Sequence, residues 1–325
     1  MKKVRWGILG TGKIAAKFAD EIGTLDECEI VAVASSSGKD KAEKFGLEYN
    51  IPHCFGSYQE MLQSDKLDVI YVATPHAFHH ECVIECLQHG KAVLCEKPFA
   101  MNQQQVSEMV ELANKSNLFL MEAMWTAFMP TIQKTKELIS NGAIGEIKSL
   151  QADFGFLSNY DAESRIWKKS LGGGAMLDIG IYPIFLSLFL LGYPEMIHST
   201  SRFNQDGVDI SSTMIFEYGN DAIASLSCHL DVDTPTQALI CGTKGYLRIM
   251  PRFHESQEIR IGNVMNENEE IIRFDRTFRG FTYQVQEVNE CLRNGKTQST
   301  IMSHDMSLNL IKLLDACREK SGLHY

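Results

Sequence analysis

The fold is decided by one stretch near the N-terminus, Val4-Arg5-Trp6-Gly7-Ile8-Leu9-Gly10-Thr11-Gly12-Lys13-Ile14-Ala15. It begins as an apolar run typical of a buried strand and continues as G-x-G-x-x-A, which opens a helical pattern. The glycines permit a tight turn and let backbone N–H groups approach a pyrophosphate, while the helix N-terminus adds positive potential. A glycine-rich turn alone is a weak signal, but a strand before it and a helix after it are what dinucleotide binding requires. The predicted phosphate-contacting residues are Gly10, Thr11, Gly12, Lys13 and Ile14.

The next hundred or so residues alternate short β-rich runs with helical patterns. Such alternation is typical of parallel strands joined by crossover helices. The predicted strands are Val4 to Leu9, Glu29 to Ser35, Val69 to Ala73, Ala92 to Glu96 and Leu118 to Met121, with helices over 14–22, 40–45, 58–63, 78–89 and 103–115.

After about residue 145 the pattern changes to alternating polar and apolar segments, which favour a mostly antiparallel sheet. The predicted strands are 148–154, 196–203, 208–217, 222–230, 236–242, 246–250, 258–261 and 270–274, followed by amphipathic helices over 282–293 and 303–319. We therefore expect an α/β chain of two domains, an N-terminal dinucleotide-binding domain over 1–123 and a C-terminal α+β domain over 124–325. The C-terminal helices can pack back on the first domain.

Composition limits the classes of partner. The chain has 325 residues, 31 basic and 41 acidic side chains, and a net charge of −10. Because phosphate-rich surfaces repel such a chain unless its basic groups cluster, we expect no nucleic-acid partner and no acidic membrane partner. The longest apolar stretch, Ile179 to Leu191, is shorter than the roughly 18 residues of a membrane span and predicts a buried core helix.

The nine cysteines are scattered and contain no C-x-x-C pair, which indicates reduced thiols. The apolar run after the basic N-terminus is too short for a signal peptide. Both observations favour a cytoplasmic protein.

The end of the second strand bears on which dinucleotide is bound. An acidic residue there would accept from the ribose 2′-OH of NAD and repel a 2′-phosphate. The chain instead has Ser35, Ser36, Ser37 and Lys39, which offer hydroxyl donors and a cation. This composition favours NADP, although a serine-rich turn with an exposed lysine is the plain structural alternative and NAD stays possible.

Further motifs extend over nearly the whole chain. They are Ala73-Thr74-Pro75-His76-Ala77-Phe78-His79, Cys95-Glu96-Lys97-Pro98, Met121-Glu122-Ala123-Met124-Trp125, Gly172-Gly173-Gly174-Ala175-Met176-Leu177-Asp178-Ile179-Gly180-Ile181-Tyr182-Pro183, Gly242-Thr243-Lys244-Gly245 and the closing region 303–323. Together with the glycine loop, they resemble the Gfo/Idh/MocA oxidoreductase family, in particular its dimeric dihydrodiol dehydrogenase and glucose-fructose oxidoreductase branch.

The resemblance implies a Rossmann domain with bound NAD(P) and a C-terminal domain with a large open sheet that is often used for dimerisation. It thereby implies a homodimer or higher homo-oligomer. It also implies an NAD(P)-dependent oxidoreductase that transfers a hydride between the nicotinamide and a small-molecule substrate, a sugar, polyol, diol or related carbonyl.

Glu96, Lys97 and Pro98 follow a predicted parallel strand, at the edge where open α/β sheets bind ligands. By resemblance, Lys97 lies near the nicotinamide and the substrate oxygen, Glu96 belongs to the cofactor site, and the Lys97–Pro98 bond is cis. From the residues alone, a strand-end lysine beside a turn proline is the simpler interpretation.

Asp178 and Tyr182 are four residues apart in a helical pattern, so they share a face. A helix-start aspartate and a core tyrosine are the plain alternative. With the resemblance, we hypothesise that Tyr182 is the general acid/base, since hydride transfer at a carbonyl carbon needs a proton at the oxygen. Lys97 would lower the pKa of the phenol, and Asp178 would orient the substrate or the lysine.

Other site residues come from the resemblance. Trp125 and Phe154 match aromatic positions that line the substrate site, and Arg165 and Trp167 match positions that contact the cofactor, although the latter two could equally be surface-loop residues. The chain departs from the branch at Ala127, where arginine is usual, and at Pro251 to His254, where a tryptophan is absent. Both departures leave the substrate open.

Thr74, Pro75, His76 and His79 follow the third predicted strand and are expected to face the cofactor, although histidines exposed on the following helix are the plain alternative. The neighbouring His80, Cys82, Cys86 and His89 complete a metal-like cluster, but structural zinc sites show tighter paired spacings, so we expect no metal.

Two other functions stay open: a dinucleotide-binding regulator without catalysis, and an NAD-dependent enzyme that cleaves glycosides.

Overall fold

The computed structural model describes residues 3–263, 266–275 and 280–325. The chain forms two compact units: unit 1 comprises Met1–Trp125 and Phe278–Leu308, and unit 2 comprises Thr126–Thr277 and Asn309–Tyr325. The predicted domains, 1–123 and 124–325, stay a prediction, because compactness does not show which segments fold on their own.

Unit 1 contains a six-stranded parallel sheet in the order β3-β2-β1-β4-β5-β6. The strand order reverses at β1, so the carboxyl ends of β1 and β4 flank the crevice where such sheets bind ligands. The strands are β1 Val4–Leu9, β2 Cys28–Ala34, β3 His53–Phe55, β4 Val69–Val72, β5 Ala92–Glu96 and β6 Leu120–Ala123.

Helices cover this sheet because its strands are apolar on both faces; all four residues of β4 and all five of β5 are buried. Aromatic rings fill the layer beneath α1, where Phe18 stacks on Tyr71 with ring centroids 3.7 Å apart. The helices are α1 Lys13–Ile22, α2 Lys39–Tyr49, α3 Tyr58–Leu62, α4 His79–Gln88, α5 Gln103–Ser116 and α8 Phe281–Arg293, with the first turn of α9 His304–Ser321.

Unit 2 contains an eight-stranded sheet in the order β14-β13-β12-β11-β7-β10-β9-β8. Every neighbouring pair is antiparallel except β7 and β10, which run parallel. The strands are β7 Ile147–Gly155, β8 Met196–Phe203, β9 Asp209–Glu217, β10 Ile223–His229, β11 Ala238–Gly242, β12 Tyr246–Ile249, β13 Glu258–Asn263 and β14 Asn266–Arg273.

Alternate residues of β10 are buried, as expected for a sheet with one covered face.

The core helix of the unit is α7 Ile181–Leu191, and α6 Pro130–Ser140 precedes β7. The segment Lys169–Leu191 is long and apolar enough to cross a membrane by length and composition alone, but 83% of its most apolar window is buried inside the protein. This burial is what a core helix of a globular domain requires.

The predicted fold class is confirmed, since a parallel sheet is followed by a mostly antiparallel one. Sequence patterns missed β3, because three residues are too few to show a period. They also missed α6, although Pro130 at its first position is a common helix-start signal. Element ends shifted by a few residues; β6, for example, begins at Leu120 instead of Leu118.

Candidate functional site

The glycine loop joins β1 to α1 and rests on its neighbouring strands. Gly10 has a φ of 103°, and a Cβ at this position would lie 2.8 Å from the Ala73 carbonyl oxygen. The Gly10 N–H donates to the Ala34 carbonyl at 3.0 Å. Only glycine therefore lets the loop pass this close to the ends of both β2 and β4.

The loop leaves room for a phosphate at the start of α1. Gly12 is exposed, and a Cβ there would meet nothing within 4 Å. The structure describes all ten residues of α1, and among them the first turn carries no acidic side chain. Gly12, at the N-cap, provides no side-chain cap. The N–H groups of the first turn can therefore bind an anion. The buried Ala15 allows close packing of α1 on the sheet. These features fit a dinucleotide pyrophosphate.

The turn after β2 is polar and accessible at its tip. Ser35 is buried, and its Oγ accepts from the Ser37 N–H at 3.2 Å. Ser36, Ser37 and Lys39 are exposed, and Lys39 lies 3.8 Å from Glu43 across one turn of α2. The predicted 2′-phosphate contacts thus stand at the carboxyl end of β2, where the ribose of a bound dinucleotide is expected.

His79 connects the ends of β4 and β5. Its ring is fully buried, with Nδ1 2.8 Å from the Pro98 carbonyl oxygen and Nε2 2.8 Å from the Thr74 carbonyl oxygen. Carbonyl oxygens only accept, so both contacts are hydrogen bonds only when the ring is doubly protonated. The nearby His76 is also buried, with its ring centroid 5.7 Å from that of His79. Sequence patterns placed both histidines at this edge without revealing the backbone contacts of His79.

The segment after β5 carries Lys97, and the Lys97–Pro98 peptide bond is cis. Glu96 is buried, accepts from the Lys97 N–H at 3.2 Å, and also accepts from the Tyr71 hydroxyl. The next N–H, that of Phe99, donates to the buried Glu122 at 3.0 Å. Two buried carboxylates thereby hold the backbone on either side of the cis bond.

Burial raises the pKa of Glu122 to about 7, against the opposing effects of the Ser307 and Phe99 hydrogen bonds and the Lys97 charge. Sequence patterns missed this residue as part of the site, because its partners lie on other elements.

Glu122→Gln is expected to flatten the dependence of unfolding free energy on pH. Because the folded protein holds the Glu122 proton more tightly than the unfolded chain, ionisation costs stability; the cost is absent below pH 4.5 and complete above about pH 7. The wild type should therefore lose on the order of 3 kcal/mol relative to the variant across this range. Urea titrations at several pH values measure the difference, with exposed Glu111→Gln as control; parallel curves for wild type and Glu122→Gln would contradict it.

In unit 2, the glycine run leads into a π-helical turn, Met176–Gly180, which continues as α7. π-turns are rare and are frequent at functional sites. Asp178 lies in this turn and pairs with Arg165, whose Nη2 is 2.6 Å from Asp178 Oδ1. The structure thus brings together a predicted catalytic residue and a predicted cofactor contact that are thirteen positions apart.

Tyr182 lies one residue into α7 and belongs to an aromatic cluster. Its ring centroid is 5.4 Å from that of Phe154 and 5.1 Å from that of His254. The His254 ring stacks on Phe154 at 4.4 Å, and all three side chains are buried. His254 was missed as a site residue; the only sequence signal was its position in the segment where the resembling branch has a tryptophan.

The other predicted aromatic residues have partners within their own units. In unit 1, Trp125 stacks on Phe281 with centroids 5.7 Å apart. In unit 2, Trp167 is buried, donates from Nε1 to the Asn159 carbonyl at 3.0 Å and lies against Tyr160. Their predicted contacts with substrate and cofactor stay predictions.

The histidine and cysteine cluster around α4 is not gathered around a common point. His80 pairs with Glu108 at 2.8 Å, and His89 Nδ1 contacts the Glu85 carbonyl. Burial raises the pKa of Cys82 to about 12. Within residues 3–263, 266–275 and 280–325, no group of three or more acidic, histidine or cysteine side chains is placed to hold a metal ion.

Two domains of one protein family match successive parts of the chain. Residues 4–124 match the family described as "Oxidoreductase family, NAD-binding Rossmann fold", and residues 132–248 match the "GFO/IDH/MocA C-terminal domain".

Curated relatives match over the full length. Trans-1,2-dihydrobenzene-1,2-diol dehydrogenase from Xenopus laevis is 37% identical, with 99% of each chain covered. The human enzyme of the same name is 32% identical, over 99% of this chain and 98% of the relative.

Solved structures share the fold. A 3-ketoreductase from Actinomadura kijaniata, in complex with NADP and TDP-benzene, has a TM-score of 0.89 at 24% identity, with 98% of each chain covered. An aldose-aldose oxidoreductase from Caulobacter crescentus has a TM-score of 0.87 at 21% identity, with 99% of this chain and 98% of the other covered.

Proposed function

The chain belongs to the Gfo/Idh/MocA oxidoreductase family, and from that premise we propose that it is an NAD(P)-dependent dehydrogenase or reductase acting on a diol, polyol, sugar or related carbonyl. The observation that carries the proposal is the Gly10 loop, which rests on the ends of β2 and β4 and opens α1 to a pyrophosphate. Relatives named for a trans-diol, such as those at 37% and 32% identity over 99% of this chain, support the diol class.

A dinucleotide held by the Gly10 loop and the first turn of α1 would supply or accept the hydride at the substrate carbon. We propose that the Tyr182 phenol gives its proton to the substrate oxygen during reduction and takes it back during oxidation. Burial against Phe154 and His254 supports this role, because packed rings hold a phenol in one orientation.

Lys97 is the proposed partner of Tyr182. An ammonium near a phenol stabilises the phenolate and so lowers the phenol pKa towards neutrality. Glu96, Glu122 and the His79 ring hold the backbone around Lys97 in unit 1. Such support keeps a catalytic lysine in place.

Asp178 is proposed to orient the substrate, with Arg165 holding its carboxylate.

NADP is the proposed cofactor, since the exposed Ser36, Ser37 and Lys39 offer hydroxyl groups and a cation to a 2′-phosphate. In a spectrophotometric screen of trans-diols, inositols and sugars, we expect reduced nicotinamide to form faster with NADP than with NAD.

Lys39→Ala should raise KM for NADP by about tenfold and leave KM for NAD unchanged, because it removes about one charged hydrogen bond.

The exposed Lys41→Ala on the same helix is the matched control. Faster turnover with NAD than with NADP would contradict the cofactor preference. Tight cofactor binding without turnover of any substrate would contradict the enzymatic role and favour a regulator.

We also propose a homodimer or higher homo-oligomer formed through the eight-stranded sheet. Ile215 and Ile223 are 40% and 47% exposed on adjacent strands, β9 and β10. Side chains of this kind are suited to a subunit interface. Light scattering of the purified protein measures the molar mass, and a monomer at all concentrations would overturn the proposal.

A further inference from the structure

The glycine turn before the π-turn is held by Tyr325. Its hydroxyl donates to the Gly173 carbonyl oxygen at 2.9 Å, across 152 positions of sequence. The residue is 38% exposed overall, but Gly173 is buried, so the polar end of the side chain reaches inward. Arg318 lies over the Tyr325 ring, 5.4 Å from its centroid. Both residues belong to unit 2, as does the turn.

Asp209 holds the start of the π-turn that follows. This fully buried carboxylate accepts from the Met176 N–H at 2.6 Å, at the first residue of the π-turn. It thereby replaces the N-terminal cap that the turn lacks within its own sequence. Gly174 makes the approach possible, since its φ is 122° and a Cβ there would overlap Asp209 Oδ1.

Both holding groups lie against Gly174, because a Cβ there would overlap Asp209 Oδ1 and lie 3.3 Å from the Tyr325 hydroxyl. Desolvation raises the pKa of Asp209 to about 7, while the hydrogen bonds from the Met176 N–H and the Ser212 hydroxyl lower it. Burial raises the pKa of Tyr325, the charges of Asp209 and Asp178 raise it further, and Arg318 opposes them.

We propose that Asp209 and Tyr325 are positioning residues that set the orientation of Asp178 and Tyr182 through the turn 172–180. The assignment rests on the proposed function for the roles of Asp178 and Tyr182. Met176, which Asp209 holds, is two residues before Asp178, and Gly173, which Tyr325 holds, is five residues before it. A displacement of this turn moves the carboxylate relative to α7, and a misplacement of about 1 Å can reduce turnover about a hundredfold.

Tyr325→Phe tests the proposal without removing the ring that packs against Arg318. We expect kcat to fall about tenfold, because one hydrogen bond is lost, while Kd for NADP and the melting temperature change little. Amide hydrogen exchange in a peptide spanning 172–182 should become faster, with exchange in α1 unchanged. Tyr193→Phe is the matched control, since its ring lies against Lys312 of α9 and should affect neither readout.

Asp209→Asn keeps an acceptor oxygen for the Met176 N–H and should retain more activity than Asp209→Ala. Unchanged exchange over 172–182 in Tyr325→Phe would overturn the positioning assignment. Faster exchange with unchanged kcat would overturn its link to catalysis. If the wild type turns over no substrate, the proposed function fails, and the link to catalysis fails with it, while exchange still decides whether Tyr325 holds the turn.

Discussion

Tyr182→Phe is expected to lower kcat about a thousandfold and to leave Kd for NADP(H) nearly unchanged. The substitution removes only the hydroxyl, because a phenylalanine ring keeps the packing against Phe154 and His254. The substrate oxygen then loses its proton donor in reduction and its proton acceptor in oxidation. Cofactor affinity is expected to survive, since the glycine loop belongs to unit 1 and Tyr182 to unit 2.

Lys97→Met is the companion variant and should lower kcat about a hundredfold. If the two residues act as one proton-transfer unit, the double variant should be hardly slower than Tyr182→Phe alone.

Steady-state rates by nicotinamide absorbance and NADPH binding by fluorescence give both quantities. Wild-type kcat in Tyr182→Phe would remove the acid/base assignment. A parallel loss of cofactor binding would instead show that the side chain supports the fold of the site.

Gly10→Ala is expected to weaken NADPH binding about a hundredfold. The φ of 103° is strained for any residue with a Cβ, and the added carbon would lie 2.8 Å from the Ala73 carbonyl oxygen. A backbone oxygen cannot move aside as a flexible side chain can, so the loop itself must shift away from β4. A strain of about 1–3 kcal/mol is consistent with this loss.

Gly90→Ala provides the control for strain without steric overlap. Gly90 has a φ of 70°, but a Cβ there would meet nothing within 4 Å. It should therefore lower the melting temperature modestly and leave NADPH affinity unchanged. Equal affinity losses in the two variants would show that the approach of Gly10 to Ala73 is unimportant for cofactor binding.

Local patterns accounted for much of the fold. The glycine loop, the strand at Val69–Val72 and the strand at Ala92–Glu96 lie where periodicity and turn residues predicted them. These patterns depend on neighbours within one turn or one strand, so they are visible in a single sequence. Short elements such as β3 have too few residues to carry a period, and the partners across the sheet supply their stability instead.

Within the candidate site, Lys97, Asp178 and Tyr182 were found from motifs, whereas His254 was not. Its ring is adjacent to Tyr182 because the segment after β12 places it against Phe154 of β7, with ring centroids 4.4 Å apart. Likewise, Glu122 acquires a pKa of about 7 through burial among residues from several elements. No short-range pattern encodes either environment.

The sequence by itself determined most of the succession of strands and helices and the phosphate-binding turn, because these depend on backbone preferences and residue chemistry over a few positions. The proton-transfer candidates came from the resemblance of longer motifs to a known family. Only the tertiary structure decided which distant groups hold those candidates. Asp209 reaches Met176 across 33 positions, and Tyr325 reaches Gly173 across 152. Such contacts depend on how apolar faces pack, and packing brings together side chains whose separation along the chain carries no signal of their proximity.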